Sequence, residues 1–148
     1  MFIKERLRPS LKIIKCYVPR ISEHTKTATA RDVALFAEIS GDFNPLHMNE
    51  EFARKSQFGK RVVHGCFSSA LISAVIGMKL PGPGALYVSQ TSNFRKPVFL
   101  GDTLTATAEV LEKFTKKEGM LKFLKLSTVV TNQNGVVVTD GEALVIIM

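Results

Sequence analysis

From Gly65 to Met78 the chain reads GCFSSALISAVIGM, with no charged residue and with small or apolar side chains in nearly every direction. A helix that is greasy all round must be buried all round. The run is also too short to cross a bilayer. It is therefore expected to be a central helix, and the rest of the chain must supply its wrapping. Pro81-Gly82-Pro83-Gly84 ends it, because neither residue type continues a helix comfortably.

The wrapping is legible in the second half. Residues 85–99, 102–115, 119–132 and 136–148 are four strand-like stretches rich in Val, Thr, Leu, Ile and Phe. In the second, Leu104, Ala106, Ala108 and Val110 alternate with Thr103, Thr105, Thr107 and Glu109. That is the period of a half-buried antiparallel strand. Residues 116–119 and 132–135 read as hairpin turns. Pro97 belongs at an edge or bulge, since it has no N–H to give a ladder. The apolar phase slips between Phe123 and Leu124, which predicts a bulge there. An antiparallel sheet rolled around one long helix is the hot-dog arrangement, an α+β fold.

Ahead of the central helix, Thr29-Ala30-Arg31-Asp32 reads as a capping box. Val33, Leu35, Phe36 and Ile39 follow at mostly helical spacing, and Ser40-Gly41 ends the helix. The loop GDFNPLH comes next, and residues 49–55 suit another short helical turn.

A chain of 148 residues, 45% hydrophobic, buries a core without staples. Its two cysteines, Cys16 and Cys66, have no paired-Cys or Cys/His spacing, which argues against zinc and against a disulfide framework. The net charge of +7 suggests nucleic acid until it is located. Residues 1–20 carry six basic side chains against the single acid Glu5, leaving only +2 for residues 21–148. A nucleic-acid stripe should cross the folded domain instead. The basic leader has the composition of an organelle transit peptide, although it is poor in serine. Equally, it reads as an N-terminal extension or first strand, with Leu11, Ile13 and Ile14 covering part of the core. No membrane span is expected.

Asp42 and His47 share the loop GDFNPLH, five residues apart. A loop of this length can aim both side chains at one point. An acid and an imidazole sharing a water can activate it and return a proton to a neighbouring atom. Taken alone, the same residues are also ordinary turn chemistry. His64 reads as structural, hydrogen-bonding near the start of the central helix. Arg95 and Lys96 read as a solvated strand face or as phosphate contacts, and Gly101-Asp102 as a tight turn.

GDFNPLH, preceded by FAEIS and followed by NEEFA, resembles the hydratase-2 signature of the MaoC-like (R)-specific enoyl-CoA hydratases. The resemblance continues through VVHGCFSSALIS and PGPGALYVSQTSNFRKPVFLGD into the last strands, covering residues 21–148. It implies a catalytic pair at Asp42 and His47, with Asn44 positioning acyl group and water. It also implies that the Gly65 N–H holds the thioester carbonyl at a helix start, where free N–H groups and the positive dipole end point outward. Ser73 is implied as a supporting polar residue, with Ser68 and Ser69 as alternatives. The implied reaction is syn hydration of trans-2-enoyl thioesters, or the reverse dehydration, without metal or redox cofactor. The thioester would be carried by CoA or by an acyl carrier protein. A homodimer is implied as well. If the leader is a transit peptide, the mitochondrial matrix and its fatty acid synthesis are the expected setting. Rival readings are a hot-dog thioesterase and a non-catalytic acyl-carrier or RNA-binding protein.

Overall fold

In the computed structural model residues 20–148 are described, so the leader readings for residues 1–19 lie outside them. The first element is strand β1 (Ile21–Thr27), followed by helix α1 (Ala30–Ser40). Two short helices, α2 (Pro45–Met48) and α3 (Glu50–Arg54), lead to the central helix α4 (Gly65–Met78). Then come β2 (Ala85–Gln90), β3 (Asn93–Phe94), β4 (Thr103–Lys116), β5 (Leu121–Thr131) and β6 (Val137–Ile147). The strands form one antiparallel sheet in the order β1-β4-β5-β6-β2, with β3 also on β6.

The sheet wraps α4 as the apolar pattern requires. Phe67, Leu71, Ile72, Val75 and Ile76 of α4 are buried against Leu104, Ala106 and Ala108 of β4 and Leu124, Leu126 and Val130 of β5. Each large aliphatic side chain removed from water in this way contributes roughly 1.5–3 kcal/mol. The burial is incomplete on one side. Cys66, Ala70, Ser73 and Gly77 form an exposed stripe along α4. That departs from the expected all-round burial, and the small side chains along the stripe leave the helix surface open.

The capping box at α1 forms as read. Thr29 Oγ1 accepts from the Asp32 N–H at 3.1 Å, and the Asp32 carboxylate takes the Thr29 N–H at 3.0 Å. The Thr29 hydroxyl also donates to the Asp32 carboxylate at 2.7 Å, and that bond above all, with the Thr29 N–H and Lys26, holds the carboxyl down at about 2. Gly41 closes the helix at φ 76°, a conformation costly for other residues.

Two strand expectations change, and one strand was not anticipated. β1 pairs along its whole length with β4, although Ile21 is its only large apolar residue. Threonine hydroxyl pairs (Thr25 with Thr105, Thr27 with Thr103) join the two strands. The stretch 85–99 is not one strand: a bulge falls at Val88, and the chain leaves the ladder after Phe94, ahead of Pro97. Lastly, the bulge expected between Phe123 and Leu124 lies instead in β4 at Leu111, between the Val110–Leu126 and Glu112–Lys125 pairs. Phe123 and Leu124 are both buried because both faces are covered there: Leu124 packs into the core, and Phe123 stacks on Phe114 at 5.0 Å between ring centroids.

Candidate active site

The loop between α1 and α2 is held by its own side chains. The Asp42 carboxylate accepts the Asn44 N–H at 3.1 Å, and Asn44 Oδ1 accepts the Leu46 N–H at 3.0 Å as the cap of α2. Pro45 then starts α2 with its fixed φ. This single turn carries His47 back over the loop it left.

His47 Nδ1 lies 2.8 Å from the carbonyl oxygen of Val62. A carbonyl only accepts, so Nδ1 carries the proton and donates it. In the neutral ring the Nε2 lone pair is then free, and it faces Asp42 Oδ2 at 3.9 Å. That gap is too long for a direct hydrogen bond. A water oxygen set to one side of that line reaches both groups at about 2.8 Å. Arg61 steadies the arrangement by donating from Nε to the His47 carbonyl at 2.6 Å. The His47 side chain is largely buried, whereas Asp42 is half exposed.

His64, just before α4, completes a cluster of three. Its Nε2–H donates to the Asp42 carbonyl at 2.9 Å, and Nε2 also lies 3.9 Å from the Asp42 carboxylate. Its ring packs at a tilt against His47, 3.9 Å between centroids, and against Phe36 at 4.9 Å. The structural reading of His64 thus acquires a definite object, the Asp42 backbone. The Val62 carbonyl and Arg61 were not anticipated. A backbone acceptor has no side-chain signature, and Arg61 gave no motif.

Gly65 opens α4 and lines a cavity of about 270 Å³ together with Phe58, Val62, Phe94 and Val98. As the first residue of the helix its N–H has no intrahelical acceptor. No backbone acceptor takes it among the described residues. Val62 joins the two regions, lining the cavity while its carbonyl orients His47. Asn44 lies between the pair in sequence, and its side-chain oxygen is engaged as the α2 cap. Ser73 is not brought to the pair. It lies on the exposed stripe of α4, eight residues and about 12 Å along the helix from Gly65. Of the alternatives, Ser68 is buried and lines the cavity, while Ser69 pairs with Ser92 at 3.1 Å.

Of the two cations considered for phosphate contact, Arg95 is committed. Its guanidinium grips Asp140 through two bonds of 2.8 and 3.0 Å, holding that carboxyl below the usual range. Lys96 lines the cavity without an acidic partner among the described residues. Asp102 accepts from Phe99 N–H and from Gln133, as a turn residue does.

A buried helix wrapped by an antiparallel sheet, with a carboxylate and an imidazole facing one another where both can reach the same water, is the arrangement of a hot-dog hydro-lyase. The chain belongs to the MaoC-like family, whose domain model matches residues 18–133. It is 45% identical over 122 residues to an (R)-specific enoyl-CoA hydratase of Rhodospirillum rubrum, covering 82% of this chain and 81% of that one. It is 37% identical over 128 residues to a mitochondrial 3-hydroxyacyl-[acyl-carrier-protein] dehydratase of Arabidopsis thaliana, covering 86% and 75%. Among solved structures it resembles the (R)-hydratase of Aeromonas caviae involved in PHA biosynthesis. That match has a TM-score of 0.83 at 36% identity, over 91% of this chain and 99% of the other.

Proposed function

We propose that this protein adds water across the double bond of trans-2-enoyl thioesters to give (R)-3-hydroxyacyl thioesters, and catalyses the reverse dehydration. The observation that carries this reading is the free Nε2 lone pair of His47, held 3.9 Å from the Asp42 carboxylate. In hydration, His47 takes a proton from the shared water as its oxygen attacks C3. A proton passes to C2 on the same face through the Asp42/His47 pair. The two groups are coupled through that water, so neither is assigned its proton independently of the other. The Gly65 N–H meets the thioester oxygen, where negative charge grows in the enolate-like transition state. Asn44 helps seat the acyl group.

The thioester is borne by CoA or by an acyl carrier protein. Two identical chains are proposed to pair through the β2 edges. Leu86, Val88 and Phe94 are half exposed there, and an open strand edge is a liability that pairing removes. Such pairing also gives the exposed stripe of α4 a cover, which is how Ser73 would enter a site. The basic leader and the mitochondrial name of the Arabidopsis relative support a mitochondrial setting. No helix among the described residues is long and apolar enough to cross a membrane.

The test is the enoyl-thioester absorbance of crotonyl-CoA. Loss of the band, with the product confirmed as the (R)-3-hydroxy thioester by a stereospecific coupled assay, supports the reading. Release of free thiol instead would mark a hydrolase. Silence with crotonyl, longer acyl and carrier-protein substrates would overturn catalysis altogether.

A further inference from the structure

We propose that Asp42, His47 and His64 also form a binding site for a borderline-soft divalent cation, Zn2+ by its chemistry, and that occupancy shuts off the water-activating pair. One ligand atom from each of the three residues lies within 4.8 Å of the others. Two imidazoles with one carboxylate suit zinc and its neighbours. Mg2+ and Ca2+ instead require shells of oxygen that a single carboxylate does not provide.

The site is close to zinc dimensions without matching them. Zinc bonds of about 2.0–2.2 Å in a tetrahedron put ligand atoms about 3.3 Å apart. Both imidazole Nε2 atoms lie 3.9 Å from Asp42 Oδ2. Closing those gaps requires the His47 and His64 rings, now 3.9 Å apart between centroids at 34°, to splay until both lone pairs converge on one ion. His47 already presents an unprotonated Nε2, since Val62 holds the proton on Nδ1. Asp42 is half exposed, which provides an entry path and room for a water as fourth ligand.

His64 decides whether a third ligand is available. Its Nε2 proton is given to the Asp42 carbonyl at 2.9 Å, so it must switch tautomer to bind metal. The other nitrogen, Nδ1, is buried and has no hydrogen-bond partner among the described residues. Moving the proton there therefore breaks no bond at Nδ1, and the one hydrogen bond surrendered is that to Asp42. The metal–nitrogen bond replaces it.

Binding and its consequence separate cleanly. Binding stands on the geometry, while inhibition rests on the hydratase reading, because the metal takes the lone pair that activates water. Calorimetric titration of chelator-treated protein with ZnCl2 is expected to show one ion per chain. Crotonyl-CoA hydration should fall in parallel, recover with EDTA and ignore Mg2+ and Ca2+. His64→Gln is expected to weaken Zn2+ binding by at least about tenfold, and Cys66→Ser to leave it unchanged. Asp42→Asn, altered at a half-exposed side chain, carries the binding test if His64→Gln does not fold. Absence of binding heat overturns the proposal. So does affinity that survives both His64→Gln and Asp42→Asn, or that disappears in Cys66→Ser. If metal-free protein hydrates no enoyl thioester, the functional reading fails and the calorimetric test still stands.

Discussion

The Val62 carbonyl accepts the His47 Nδ1 proton at 2.8 Å, and this one bond sets the chemistry of the ring's other nitrogen. With Nδ1 protonated, Nε2 faces Asp42 as a base; with the opposite tautomer it would face a carboxylate as a donor. His47→Gln and Asp42→Asn are each expected to lower kcat by roughly 10²–10⁴-fold, the range for removing a positioned acid–base group. Circular dichroism and thermal melting should stay close to wild type, because neither side chain belongs to the core. Loss of fold in either variant would make the residues structural.

Gly65 separates the role of a backbone N–H from that of the space beside it. A methyl built there would stand 3.3 Å from three ring atoms of Phe94. The ring is a half-exposed side chain that need give only a few tenths of an ångström, so Gly65→Ala is expected to cost little stability. The N–H remains, and kcat should fall less than in the Asp42 or His47 variants. A rise in KM at nearly constant kcat would show the methyl crowding the thioester; a collapse of kcat would show that the N–H itself has moved.

The central helix, the α1 capping box and the Asp42/His47 loop were legible because each depends on local side-chain identity. What was not legible depended on partners distant in sequence. β1 has no apolar alternation to announce it, being an edge strand held by threonine hydroxyls and ladder bonds to β4. The apolar slip at Phe123 and Leu124 comes from burial on both faces, not from the bulge it suggested. It could not reveal that the extra residue was Leu111, on the facing strand. Likewise, nothing in Val62 as a residue type indicates that its carbonyl orients a histidine.

Asp32 gives a pH dependence with a definite sign. Its folded-state pKa, about 2, lies below the ordinary carboxyl value of 3.8, chiefly through the Thr29 hydroxyl bond. A depressed carboxyl stabilises the fold above its unfolded pKa and loses that contribution as pH falls through the folded one. Asp32→Asn is therefore expected to be less stable than wild type at pH 7 by about 1 kcal/mol, the usual worth of a cap. The difference should shrink between pH 4 and pH 2. Denaturant unfolding of both proteins across that interval checks it; a gap independent of pH would place the effect elsewhere.

Gly141 in β6 is a packing requirement. A Cβ at this position would lie 1.9 Å from the Thr91 carbonyl oxygen, where the chain between β2 and β3 crosses close to β6. Backbone cannot give way as the Phe94 ring can, and Thr91 is anchored there by its N–H to Glu142 at 2.9 Å. Gly141→Ala is expected to cost about 1–3 kcal/mol or more, as overpacking does, seen as a lowered denaturation midpoint. A midpoint equal to wild type would mean that the crossover is free to lift.

The proposed pairing of two chains is tested at the same edge of the sheet. Val88 sits at the β2 bulge, half exposed, on a strand with β6 along only one side. A lysine there places a charge where a second β2 would have to dock, which is how natural edge strands avoid association. Light scattering should give a dimer mass for wild type and a monomer mass for Val88→Lys. Because Asp42, His47 and His64 come from one chain, their geometry should survive in the monomer. Retained activity in monomeric Val88→Lys would make the single chain sufficient for catalysis. Lost activity with an intact fold would mean the second copy completes the site, with the face bearing Ser73 as the region to probe next. A wild type that is itself monomeric would remove the pairing proposal.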